Sequence, residues 1–97
     1  MNLPVEKLRE FCRNEGIAYM AVFGSVADGT ARPDSDIDIL VSFVNEMEMD
    51  LFHFFDIKNR LSDLLKRRVD LVAKNSLHPR VKATIETSLR EVFPRAA

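Results

Sequence analysis

Three acids and one small turn carry the chemistry legible in this 97-residue chain. Asp36 and Asp38 stand at i and i+2 at the entry to the β-branched run Ile37-Asp-Ile-Leu-Val41. That spacing aims both carboxylates at one face of a strand. Like charges held that close repel unless a cation sits between them. Mg²⁺ suits the arrangement, because it takes hard oxygen ligands from one or two carboxylates and leaves positions for water and substrate phosphate. Gly24-Ser25 ends an earlier apolar run, ten residues before Asp36. A Gly-Ser turn between a strand and a helix start offers backbone N–H groups and a hydroxyl to an anion. Gly24, lacking Cβ, lets the backbone approach phosphate oxygens. A third acid, Asp70, interrupts the apolar run Val69–Val72, where burial without a partner would be costly. Carboxylates for metal facing a cradle for phosphate outline a nucleotide-handling enzyme.

These acids need elements to hold them. Helical spacing of Val5, Leu8, Phe11 and Cys12, with Gly16 as a stop, predicts a helix over Pro4–Asn14. Ile17–Phe23 and Asp36–Val44 read as strands, with a short helical turn at Ser25–Asp28 and a loop at Gly29–Ser35. A polar connector, Asn45–Asp50, leads into a long helix over Leu51–Lys66. Its expected core stripe is Leu51, Phe54, Phe55, Leu61, Leu64 and Leu65, with Arg67 and Arg68 complementing its C-terminal dipole. Val69–Val72 is a third strand. A loop over Asn75–Pro79 precedes a final amphipathic helix from Arg80 to about Val92. The expectation is an α/β (α+β) fold: one domain over residues 1–97, with a small mixed sheet of about three strands covered by helices.

Composition narrows the function classes. Apolar residues make up 46 % of the chain, enough for one small core. There is no run long enough for a membrane span and no apolar export signal near the N-terminus, so a cytoplasmic protein is expected. The single cysteine, Cys12, fits a reducing compartment and reads as a small core hydrophobe. Net charge is −1, against general nucleic-acid binding. The charge is nonetheless uneven: residues 28–56 hold eight acids and one base, Arg32, while residues 57–97 hold ten bases and four acids. The basic half could attract a nucleotide, an RNA or an acidic partner, or be a pair of solvated helix faces.

The string Gly-Ser-x₁₀-Asp-x-Asp, here Gly24, Ser25, Asp36 and Asp38, resembles the signature of the nucleotidyltransferase superfamily with a DNA-polymerase-β-like fold. The short length and the wording Ala-Arg-Pro-Asp-Ser-Asp-Ile-Asp resemble its minimal nucleotidyltransferase (MNT) branch. That resemblance implies transfer of a nucleoside monophosphate, AMP from ATP, to an acceptor hydroxyl, with two Mg²⁺ held by Asp36, Asp38 and Asp70 and phosphate met by Gly24 and Ser25. It also implies a partner, since many MNT proteins act as antitoxins of HEPN-type ribonuclease toxins, some by adenylylating the toxin. Asp28 departs from the family's frequent arginine before Gly29; Arg32 or the basic C-terminal half is expected to compensate. Neutralisation of the partner by occlusion, without catalysis, is the alternative, and transfer to a small molecule such as an antibiotic fits poorly without a second domain. So few residues remain for an acceptor pocket that the acceptor must come from a partner protein, a second copy or a macromolecule. Met47, Met49 and Phe52 lie outside a clear core stripe and are candidate contacts. His53 and His78 read as a packed or solvated histidine and a helix-entry residue.

Overall fold

The computed structural model describes residues 3–24, 27, 29, 32, 35–86 and 89–94. Helix α1 (Val5–Glu15) buries Leu8, Phe11 and Cys12. It stops at Gly16, whose φ of 70° is the left-handed conformation glycine adopts without penalty and whose N–H bonds the Cys12 carbonyl. Strand β1 (Ile17–Phe23) follows at once, then β2 (Ile37–Phe43). The Glu46 carboxylate accepts from the Phe43 N–H at 2.9 Å, and a 3₁₀ turn over Glu46–Glu48 leads to helix α2 (Leu51–Leu65). Asp50 caps α2, accepting from the His53 N–H at 2.7 Å. Strand β3 (Val69–Ala73), a second 3₁₀ turn (Lys74–Ser76), helix α3 (Pro79–Glu86) and strand β4 (Arg90–Phe93) complete the order. At the start of α3 the His78 carbonyl accepts from Lys82 N–H and its ring Nδ1 from Arg80 N–H, so His78 is the helix-entry residue expected.

The sheet runs β3-β2-β1-β4, with β2 and β3 parallel and the other pairs antiparallel. It is the mixed sheet expected, with one strand more. Residues 90–92 were expected in the final helix, where Val81, Ile85, Leu89 and Val92 keep helical spacing. Instead α3 ends at Glu86 and Val92 is buried in the sheet. The free edge of β1 explains this: unpaired strand N–H and C=O groups need partners, and β4 supplies them. Arg9 of α1 adds a bond, its Nε donating to the Val92 carbonyl at 3.0 Å.

One face of the sheet makes the core. Met20 and Val22 of β1, Ile37, Ile39 and Val41 of β2, and Val69 and Leu71 of β3 pack with Leu8, Phe11 and Cys12 of α1 and Ile57 and Leu61 of α2. Burial pushes the Cys12 thiol up to about 12, so it stays protonated as the expected core hydrophobe. The α2 stripe differs from the one expected. Ile57 is buried, whereas Leu51 and Phe55 are exposed; Phe54, Leu64 and Leu65 lie partly buried against the core. Within the first turn Phe54 meets the core through the Phe43 ring, while Leu51 and Phe52 face away from it.

Candidate active site

Residues alternate across a strand, so with Ile37 and Ile39 in the core, Asp38 points to the opposite face. Asp70 lies between buried Val69 and Leu71 and points the same way. The parallel register pairs Asp38 directly with Asp70. Adjacent strands are about 4.8 Å apart, so the two carboxylates leave neighbouring points on the face opposite the core. Asp36, two residues before Asp38 and just outside β2, is exposed at the same end. The fold therefore gathers the three acids singled out in the sequence at the N-terminal ends of two parallel strands.

Gly24 closes the third side. It follows Phe23, the β1 residue paired with Asp38. A Cβ built on Gly24 would fall 2.3 Å from Asp38 Oδ2, and its φ of 72° is itself in the left-handed region. The bare Cα is thus the wall against which the Asp38 carboxylate rests. Partial burial is the first cause, and repulsion from Asp70 and Asp36 the second, of an Asp38 pKa raised above the ordinary 3.8. Neighbouring acids that tighten a proton also favour a cation in its place.

Two arginines, expected to complement the end of α2, also reach the approach to β2. The helix ends at Lys66 in a left-handed cap, and the chain then turns toward the loop before β2. The Arg67 guanidinium donates to the Arg32 carbonyl at 2.8 Å and, from the same nitrogen, to the Ser35 carbonyl. The Arg68 carbonyl accepts from the Ile37 N–H at 2.9 Å. Arg68 Nε also lies 3.8 Å from Asp36 Oδ1. This clamp ties the approach to β3 onto the approach to β2. About thirty residues separate its halves, so no local pattern announces it.

Ser25 and Asp28 lie outside the described residues. Arg32 is exposed; its backbone N–H donates to Ser35 Oγ at 2.9 Å, and its guanidinium forms no ion pair among the described residues. Also among the described residues, no three carboxylate, imidazole or thiol groups stand together as a ready-made metal cage. His53 is exposed at the far end of the sheet. There it lines a cavity of about 310 Å³ with Gly16, Phe43, Val44 and Met49, so the site's chemistry and this cavity occupy opposite ends of β2. No helix among the described residues is long and apolar enough to cross a membrane.

Residues 5–92 match the nucleotidyltransferase domain family. The protein adenylyltransferase MntA of Thermococcus cleftensis is 42 % identical over 84 residues, 87 % of this chain and 80 % of the relative. A toxin–antitoxin crystal structure with AMP-PNP superposes with a TM-score of 0.81 at 24 % identity, over 96 % of this chain and 75 % of that one. The MNT antitoxin complexed with the tri-AMPylated HEPN toxin of Shewanella oneidensis gives 0.70 at 20 % identity, over 94 % and 70 %. At those identities the two structures speak for the fold alone. The family match over nearly the whole chain, joined to the paired acids and the glycine wall behind Asp38, makes this chain a minimal member of the nucleotidyltransferase family.

Proposed function

We propose that this nucleotidyltransferase uses Mg²⁺ and ATP to move AMP onto a hydroxyl of a partner protein in the cytoplasm, and that the partner is a HEPN-type toxin which it neutralises. The observation that carries the reading is the Asp38–Asp70 register across β2 and β3, with Asp36 at the same end and Gly24 behind Asp38. Asp36, Asp38 and Asp70 would hold the metal. Their donor chemistry fits, since three hard oxygen groups whose repulsion already tightens a proton on Asp38 suit a divalent cation. When bound, two such ions neutralise triphosphate charge and acidify the acceptor hydroxyl. Asp70, which is exposed, would either help hold the second ion or take the acceptor's proton as its oxygen attacks the α-phosphorus in line. The bond from that phosphorus to the bridging oxygen breaks, and pyrophosphate leaves. Gly24 would let the backbone approach the phosphates, and Ser25 and Arg32 are assigned to the triphosphate by the family resemblance alone. Positioning and charge neutralisation supply most of the acceleration.

The test is intact mass of the partner after incubation with ATP and Mg²⁺, with a gain of one or more nucleoside monophosphates expected. Asp70→Asn should slow transfer by on the order of 10² while ATP still binds, as befits a group acting on the transition state. Replacing Asp36 and Asp38 by Asn should abolish the gain. A doubly substituted protein that still detoxifies its partner fully would assign neutralisation to occlusion.

A further inference from the structure

The segment from Val44 to Phe55 presents side chains that a small folded protein ordinarily covers. Met47 is 97 % exposed, Phe52 88 %, Val44 74 %, Leu51 66 % and Phe55 48 %. At about 200 Å² per large apolar side chain these five expose on the order of 700 Å². The largest patch on a typical monomer is about 300–600 Å². One partner's share of a standard interface is about 800 Å². Beside them the 310 Å³ cavity opens between β2 and α2. A hollow that mixes Phe43, Val44 and Met49 with Glu15 and Glu48, next to projecting aromatics, suits an apolar anchor that carries a cation beside it.

Charge decides what fits. Residues 44–56 contain Glu46, Glu48, Asp50 and Asp56 and no lysine or arginine. All four acids are exposed. Asp56 lies 3.7 Å from Arg60, which also pairs with Glu15 at the cavity's rim, so this one cation is already matched by two of the chain's own acids. A second copy meeting this face through a two-fold axis would set its acids against the same acids. A head-to-tail contact with the chain's basic half would build a ring or an open filament of many copies rather than a simple pair.

We infer that the Val44–Phe55 surface docks a partner protein through an apolar anchor flanked by lysine or arginine, and that the anchor enters the cavity beside Met49 and His53. The inference rests on the partner reading above and gives that partner a place. Phe43 lies about 17 Å along β2 from Asp38, at about 3.3 Å per residue. Docking there leaves the carboxylate mouth free, so holding the partner and modifying it use separate surfaces.

The experiment titrates the purified HEPN-type toxin against the full chain by calorimetry, at low and moderate salt. Replacing Met47 and Phe52 together by Ser should weaken binding at least about 100-fold, as loss of two anchors does. Both side chains are exposed, so circular dichroism and the melting midpoint should match the parent. Glu48→Lys should weaken binding and flatten its salt dependence. In transfer assays the Met47/Phe52 variant should raise KM for the toxin and leave kcat unchanged. Parent-like affinity in that variant overturns the docking surface, while absence of binding by the parent overturns the partner reading beneath it. Parent protein that dimerises through this patch, with the variant monomeric and toxin binding unaltered, assigns the surface to a second copy and overturns the proposal.

Discussion

Gly24 and Gly16 offer a matched pair of substitutions that separates backbone strain from damage to the site. Both sit at nearly the same positive φ, 72° and 70°, so alanine meets the same left-handed penalty at each, about 1–2 kcal/mol. Reduced freedom of the unfolded chain returns about 0.4–1 kcal/mol at both. The net loss of stability should therefore be similar, on the order of 1 kcal/mol. Their surroundings differ. The new Cβ at Gly16 meets nothing within 4 Å, whereas at Gly24 it falls 2.3 Å from Asp38 Oδ2. Ordinary contact needs more than 3 Å, so the Asp38 carboxylate must shift by about 1 Å, and misplacement of that size costs about 10²-fold in rate. Gly24→Ala should then lose AMP transfer by on the order of 10² while Gly16→Ala stays within about threefold of the parent. Thermal unfolding and labelled-ATP transfer on the same preparations give both readings. Equal activity in the two variants would refute the assignment of Gly24 as the wall behind a working Asp38.

Two further outcomes follow from the same site. A folded-state pKa above the ordinary 3.8 means that ionised Asp38 destabilises the metal-free fold above that pKa, and the penalty vanishes once folded and unfolded forms are both protonated. Asp38→Asn should therefore raise the melting midpoint of metal-free protein near neutral pH, and the gain should disappear as pH falls through the raised value toward 3.8; an equal gain at both ends would contradict this. Arg67→Ala should weaken Mn²⁺ binding or transfer by about 10–100-fold, the usual cost of losing a group that orients ligands, with partial recovery in Arg67→Lys; unchanged Mn²⁺ titrations would leave the clamp a purely structural contact.

What the sequence makes legible is whatever a strand or a short motif states locally. Ile17–Phe23 is a strand with the bounds read from its apolar run. Asp70 is noticed because an acid inside Val69–Val72 has no local reason to be there. Val92 shows the limit: its spacing from Val81, Ile85 and Leu89 is helical, yet β1's open edge recruits it into a strand. Ile57 and Phe55 show another, since which side of α2 meets the sheet depends on where the helix lands. The Arg67 clamp could not be read at all, because it joins residues made neighbours by the parallel crossover.

That crossover explains how so short a chain assembles the site. Asp70 reaches Asp38 because β3 returns parallel to β2 after α2, and the register is held where there is no chemistry. Val69 and Leu71 are buried beside Ile37 and Ile39, while the Ile37 N–H bonds the Arg68 carbonyl. A slip of one residue would turn Asp70 into the core and bring Val69 or Leu71 to the mouth. It would strand a charge among apolar side chains, at a cost of several kcal/mol. The apolar alternation of β3 thus enforces the placement of its one acid, and the core face acts as the gauge that sets the spacing of the carboxylates on the other side. Burial first, and the nearby charges of Asp70 and Asp36 second, raise the Asp38 pKa, and that packing bears the cost of holding the carboxylates together.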